Sequence, residues 1–381
     1  MRKLNNEKNS TVNEEETTEQ NPEKADDSVE EFSMDEIKEL FFGEWKVTKL
    51  LGFTEIQNDY TNYPEEHDII INVVSGMEIS MRHMQKTAYY HLPGLFEFYE
   101  LYRIFLPLFR EHREYFYDWC DIGSIYGAPP DCIWGGGRVS LEDHDAREVL
   151  ALLQEYRISA RLTFSNSQLC EEHLSDRKCN ELCALFAENT ESENGVIFHS
   201  ELLLQYLKSH YPQLYLISST TKVLTDFEAL KKETDREDFR YVVPDFRLNK
   251  AYEKLNTLTE PQKDKVEFLC NECCYFGCKD RKECYEAVSR RNLGEEPDFR
   301  CTSPGAEEGY RFSKAMKNPG FIGVEDIQKI YLPMGFSNYK IEGRGLGSAL
   351  VLEFLLYYMT KPEYQLQVRE EIYLDNMLDL L

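Results

Sequence analysis

Residues 120–166 run from CDIGSIYG (120–127) through DHDAREVLALLQEYRI (143–158) into SARLTFSN (159–166). The first and last pieces are short apolar runs bounded by turn formers, the pattern of a buried strand. The middle piece has apolar residues at helical spacing behind Asp143, which suits the N-cap of a helix. Strand, helix and strand in that order make one parallel β/α unit.

The pattern continues downstream. SDRKCNELCALFAEN (175–189) reads as a helix capped by Ser175, and GVIFHS (195–200) as a strand followed by the helix around LLLQYLKSHY. The strand LYLISSTT (214–221), the helix TDFEALKKE and the strand RYVVPD (240–245) come next. After the helical NKAYEKLNTL come the strand VEFLCNE (266–272), the helix DRKECYEAVSRRN (280–292) and the strand SNYKIEGRG (337–345). FRCTSP (299–304) is the candidate for an eighth strand. Regular β/α spacing without a Gly-rich dinucleotide fingerprint predicts an α/β fold of the (β/α)8 TIM-like barrel type.

Residues 1–35 carry acidic runs and few apolar residues, the composition of a disordered tail. Residues 36–114 are expected to form an N-terminal extension capping the barrel, and 115–381 the barrel with its C-terminal helices. Within the extension, DEIKELFFGEWKVTKLLGF (35–53) reads as helix then strand, and HDIIINVVSGMEISM (67–81) as a buried strand and turn. LPGLFEFYELYRIFLPLFREHREYF (92–116) has helical spacing, with Pro107 as a kink or break. A long apolar helix, SALVLEFLLYYM (348–359), closes the barrel region and is interrupted at Pro362.

Composition narrows the function. Aromatic residues at 13% and apolar residues at 42% fit a folded globular chain. A formal charge of −26 over 381 residues disfavours nucleic acid, whose phosphate backbone needs clustered Lys and Arg. No apolar run is long enough to span a bilayer, and the N-terminus lacks the apolar core of a signal peptide. With an odd cysteine count, eleven, these features predict a cytoplasmic protein whose thiols are free or metal-bound.

Six of those cysteines lie within Val266–Cys301, spaced C-x2-C-C-x3-C-x5-C-x16-C. Gly277 and Arg281 occupy the places where a C-x3-C-x2-C radical-SAM signature needs its third cysteine. Only Cys270 with Cys273 offers a C-x2-C knuckle, whereas a zinc ribbon needs two. Four thiolates from a strand end, a loop, a helix start and a later segment suit a [4Fe–4S] cluster, with zinc as the alternative. The expected ligands are Cys274, Cys278, Cys284 and Cys301, with Cys270 as a substitute.

Chemistry in such barrels sits at the C-terminal ends of the strands. Lys340, Glu342 and Arg344 share one face of the last strand by alternation, where they would partly neutralise one another and bind a carboxylate. With His199 they are the candidate catalytic residues. Tyr126, Arg138, Asn166, Asp245, Asn249 and Asn271 are the candidate substrate-binding residues. Arg138 closes a WGGGR segment whose glycines would let the backbone approach a ligand.

GFSNYKIEGRG (335–345), preceded by GFIGVEDIQKIYLPMGF, together with NECCYFGC (271–278), resembles the collagenase-like peptidase superfamily over roughly residues 115–350. That superfamily includes the proteins of oxygen-independent ubiquinone hydroxylation. The resemblance implies a TIM-like barrel, an oxygen-sensitive [4Fe–4S] cluster, and either peptidase activity or a part in oxygen-independent hydroxylation. It makes Lys340, Glu342 and Arg344 site-face residues and matches Cys274 and Cys278 to a C-x3-C pair.

Three readings follow. One is an iron–sulfur barrel enzyme of hydroxylation or related redox chemistry on a small-molecule or peptide substrate. The second is a peptidase, although no H-E-x-x-H motif is present. The third is a non-catalytic barrel with a structural cluster, acting as the partner subunit of another protein.

Overall fold

Alternation builds the barrel. In Ser159–Phe164, Ala160, Leu162 and Phe164 join a large apolar layer, while Arg161 and Thr163 between them are also buried. Likewise Val196 and Phe198 belong to that layer, and Ile197 to a second, small cluster with Tyr126, Ile217, Val243 and Leu269. Strands buried on both faces are what parallel sheets covered by helices require. The small cluster fills the interior; the large one lies between strands and helices.

A computed structural model of the chain describes residues 45–50, 54–58, 86–137, 143–188 and 192–378. Eight parallel strands form a nearly closed barrel with helices between them. They are β1 (Ala88–Pro93), β2 (Cys120–Gly127), β3 (Ser159–Phe164), β4 (Gly195–Phe198), β5 (Tyr215–Ser218), β6 (Tyr241–Val242), β7 (Glu267–Leu269) and β8 (Asn338–Lys340). The hydrogen-bonded order is β6-β5-β4-β3-β2-β1-β8-β7. A single parallel bridge, Val242 to Val266, joins β6 to the start of β7.

The connecting helices are α1 (Tyr99–Glu111), α2 (Ala146–Glu155), α3 (Arg177–Ala187), α4 (Glu201–His210), α5 (Phe227–Thr234), α6 (Glu260–Lys265) and α7 (Arg281–Asn292). α8 (Ser348–Tyr358) follows β8 and packs on α9 (Gln365–Leu378). None of the helices among the described residues is long and apolar enough to cross a membrane. Ahead of the barrel in the chain, Trp45–Leu50 pairs antiparallel with Thr54–Asn58.

The barrel matches the expected class, and several details correct the sequence reading. The eighth strand is β1, not FRCTSP: Arg300, Cys301 and Thr302 are exposed, as no strand of this barrel interior is. β1 and α1 both fall inside 36–114, so the barrel begins well before residue 115. α1 runs through Pro107 without a break, burying Leu101, Tyr102, Phe105 and Leu108 on one face. Asp145, not Asp143, caps α2 by accepting from Arg147 N and Glu148 N, and Asp176, not Ser175, caps α3. The acidic tail and the segment 67–81 lie outside the described residues, as does the expected helix before Trp45.

The glycines of WGGGR do allow a close approach, but to the protein itself. A Cβ at Gly136 would stand 2.2 Å from the carbonyl oxygen of Ser165, and Trp134 O accepts from Asn166 N at 2.9 Å. The loop therefore lies directly on the end of β3. Gly136→Ala should destabilise the barrel by about 1–3 kcal/mol, as overpacking does. This is read as a lower denaturant midpoint at constant slope; an unchanged midpoint would mean the loop yields freely.

Candidate functional site

At the C-terminal mouth of the barrel lies a cleft of about 660 Å³. Strand ends supply its floor through Tyr126, Thr163, Ile197, Leu269 and Lys340. The β7–α7 loop, the start of α7 and residues 299–310 supply one wall.

Beneath the floor is a buried charged cluster built from four strands. Arg161 of β3 donates from Nη1 to Glu267 Oε2 of β7 at 2.5 Å, and from Nε to the Tyr215 hydroxyl at 2.8 Å. Lys340 of β8 reaches Glu267 Oε1 at 3.3 Å, and its Nζ lies 3.3 Å from the centre of the Tyr126 ring. His91 of β1 places Nε2 3.6 Å from Glu267 Oε2, 3.3 Å from Asn338 Oδ1, and Nδ1 2.8 Å from Ser124 Oγ. Burial alone would push the Glu267 carboxyl up, but the surrounding cations outweigh it and hold it down to about 2. Burial, reinforced by Arg161, pushes His91 down to about 3, so the ring is neutral at ordinary pH.

Lys340, Glu342 and Arg344 all line the cleft, as alternation requires. Two of them also have partners outside the trio. Lys340 pairs with Glu267, and Arg344 with Glu97 Oε1 at 2.8 Å. Arg344 also donates to Thr163 Oγ1 and to the carbonyl of Ala128, both at 2.6 Å, which fixes it across the ends of β2 and β3. His199 stands apart: its Nδ1 meets Thr221 Oγ1 at 2.9 Å, it is absent from the cleft lining, and burial, then Lys222 and Lys282, lower it to about 4.

Of the six residues expected to bind substrate, Tyr126 lines the cleft, its hydroxyl donating to Ile341 O at 2.6 Å. The three asparagines are structural ties. Asn166 donates to the carbonyls of Ile133 and Ser289, Asn249 to those of Leu269 and Gly320, and Asn271 to that of Glu342. Asp245 anchors two arginines, with Arg247 Nε at 2.6 Å and Arg281 Nε at 3.2 Å from its oxygens. Arg138 lies outside the described residues.

Cys273, Cys274, Cys278, Cys284 and Cys301 line the cleft; Cys270 does not. Alternation beyond β7 turns Cys270 away from the interior into the large apolar layer, with its thiol 3.5 Å from Phe268 O. Burial pushes that thiol well above its usual range, and it leaves the candidate ligand set. The loop carrying the other thiols is pinned. Glu272 accepts from Cys274 N at 2.9 Å and from Arg281 Nη2 at 2.6 Å, and Arg247 donates to Cys278 O at 2.7 Å. Among the described residues, no three or more His, Cys, Asp or Glu side chains are grouped so as to hold a metal ion.

Sequence reasoning missed Arg161, Glu267, His91 and Arg281. For the first two the available signal was a charged residue in the middle of an apolar strand.

No protein-family model and no curated protein matches the chain. A solved structure described as "The Structure of the U32 Peptidase Mk0906" is similar to it with a TM-score of 0.43 and 13% identity, covering 68% of this chain and 94% of that one. The resemblance to the ubiquinone-hydroxylation proteins is not shown by this distant neighbour.

His91 makes stability depend on pH. Its folded value of about 3 lies below the ordinary 6.5, so the unfolded chain binds a proton that the folded one refuses. Stability is therefore lost as pH falls from about 6.5 towards 3, with a slope of up to about 1.4 kcal/mol per pH unit from this group. His91→Gln should flatten the stability–pH curve between pH ~6.5 and ~4.5 relative to wild type. Parallel urea-unfolding curves for the two proteins would refute this.

Proposed function

We propose that the protein is an iron–sulfur enzyme whose [4Fe–4S] cluster is held by Cys274, Cys278, Cys284 and Cys301 beside a substrate cleft at the mouth of its barrel. The observation that supports this is that all four thiols line one cleft which also holds Lys340 and Tyr126. Cys273 lines the same cleft, but it neighbours Cys274, and adjacent residues in extended chain face opposite ways. Among the described residues no three donor side chains are grouped so as to hold a metal ion, which bears on zinc and on a cluster alike, so the reading rests on the thiols sharing one cleft lining and not on a preassembled donor set.

When bound, the cluster supplies redox chemistry, of which oxygen-independent hydroxylation is the reading favoured by the resemblance. The chain's own residues have separate tasks. Glu272, Arg281, Asp245 and Arg247 hold the thiol loop in place. Arg344 ties the strand ends that shape the cleft, and Tyr126, Ile197 and Leu269 give its floor an apolar surface. Lys340 presents the cation nearest that floor. A cysteine peptidase would need a thiol–imidazole pair in the cleft, and no described histidine lines it.

Protein purified without oxygen should be brown and carry about four iron and four sulfide per chain. Alanine at Cys274, Cys278, Cys284 or Cys301 should each reduce that content severalfold, and alanine at Cys270 should leave it unchanged if the fold is kept. Colourless protein with stoichiometric zinc would sink this reading, and casein cleavage abolished by one Cys→Ala change would favour the peptidase.

A further inference from the structure

The cleft thiols do not stand on equal supports. Cys274 and Cys278 sit on a loop pinned by Glu272 and Arg247, and Cys284 lies on α7. Cys301 lies beyond α7, in a stretch where no residue from Arg290 to Lys314 is buried. Among the described residues, hydrogen bonds tie residues 296–309 to the rest of the chain through two carbonyls. Phe299 O accepts from Arg291 Nη2 at 3.1 Å, and Gly305 O accepts from Lys314 Nζ at 2.7 Å. Lys314 also reaches Glu308 at 3.4 Å. Both anchors are long side chains in contact with water, where such ties contribute little. Phe299 and Pro304 line the cleft, yet neither joins the apolar core, on which the chain packs again at Tyr310 and Phe312.

The stretch is bounded by glycines in the left-handed region. Gly294 has φ +83° and Gly309 φ +65°, and a Cβ on either would meet nothing within 4 Å. Glycine adopts both signs of φ at similar cost, so the backbone can change direction at these two points. A segment with few buried contacts and permissive ends is one that opens locally while the core stays intact.

The donor set gives such a movement its purpose. Cys301 shares the cleft lining with Cys274, Cys278 and Cys284, but among the described residues no three donors are grouped so as to hold a metal ion. At least one of the four must move for the set to close. The pinned loop and the helix are poorly suited to moving, whereas the stretch bearing Cys301 is not held in that way.

We propose that residues 294–309 form a strap that turns on Gly294 and Gly309 and brings the Cys301 thiol to the other three, so that completing the donor set closes one wall of the cleft. This rests on the iron–sulfur reading above and assigns the moving part of that site. On coordination the thiol sulfur exchanges its proton, which passes to solvent, for a bond to iron. Ordering the strap costs chain entropy, and that bond offsets the cost. With the strap open, Arg300 and Cys301 are both exposed; closing it should shield the peptide bond between them.

The test is limited trypsin digestion of the full chain, handled without oxygen and either loaded with iron and sulfide or stripped by a chelator. The cut between Arg300 and Cys301 is followed by mass spectrometry, and iodoacetamide labelling of Cys301 is followed on the same samples. Loading should slow both by about tenfold or more. Cys301→Ser should bring back the fast cut and lower the bound iron. Should that variant misfold, the labelling of the native protein answers the same question. The proposal is overturned if loaded protein is cut and labelled there as fast as stripped protein, or if Cys301→Ser keeps full iron and full protection. Either result leaves the iron site itself standing. Protein that takes up neither iron nor sulfide would defeat the iron–sulfur reading, and the strap with it.

Discussion

Glu267 has no exposed surface, and basic side chains from three other strands converge on it. Removing one partner from a buried ion network costs about 3–5 kcal/mol, because the remaining charge is left without water or a counter-ion. The barrel is therefore committed to one register. Asn338 and Lys340 of β8 stand beside Glu267 and Leu269 on one side and beside Tyr89 and His91 on the other. A slip of one residue would send Lys340 or Glu267 into the apolar layer under the helices. The same carboxylate ties β3 to β7 across the barrel.

On this floor the segment KIEGR has a distinct role for each residue. Lys340 goes down to Glu267, Ile341 goes out to the apolar layer, and Glu342 faces the cleft. Gly343 is needed because a Cβ there would meet Pro93 and Val351 at 2.9 Å. Arg344 gathers Glu97, Thr163 and Ala128. Five consecutive residues thus join the charged floor, the outer core, the cleft and the rim.

The architecture was readable because its elements are local. Apolar runs such as GVIF and YLIS announce strands, and the helices between them carry their own spacing. β1 escaped notice because its last residues, Leu92 and Pro93, read as the start of the following helical stretch, and because it follows a segment with no clear periodicity. The three asparagines looked like ligand groups because they close or follow strands, yet each donates to backbone carbonyl oxygens on segments distant in the chain. The sequence holds no trace of those partners. Cys270 shows the opposite case: it was kept as a substitute ligand, although alternation from Leu269 already points it away from the cleft, where the structure puts it. The Arg161–Glu267 contact spans 106 residues and was visible only as two charges in improbable places.

The seam between β6 and β7 has a consequence for the whole mouth. Backbone bonding there amounts to the bridge at Val242 and Val266, at the base of β7. Higher up, the join is made by the Asn249 amide reaching Leu269 O and Gly320 O. The loop bearing the cleft thiols is thereby joined to the end of β6 through side chains, Arg281 on Asp245 and Arg247 on the Cys278 carbonyl, and not through a backbone ladder.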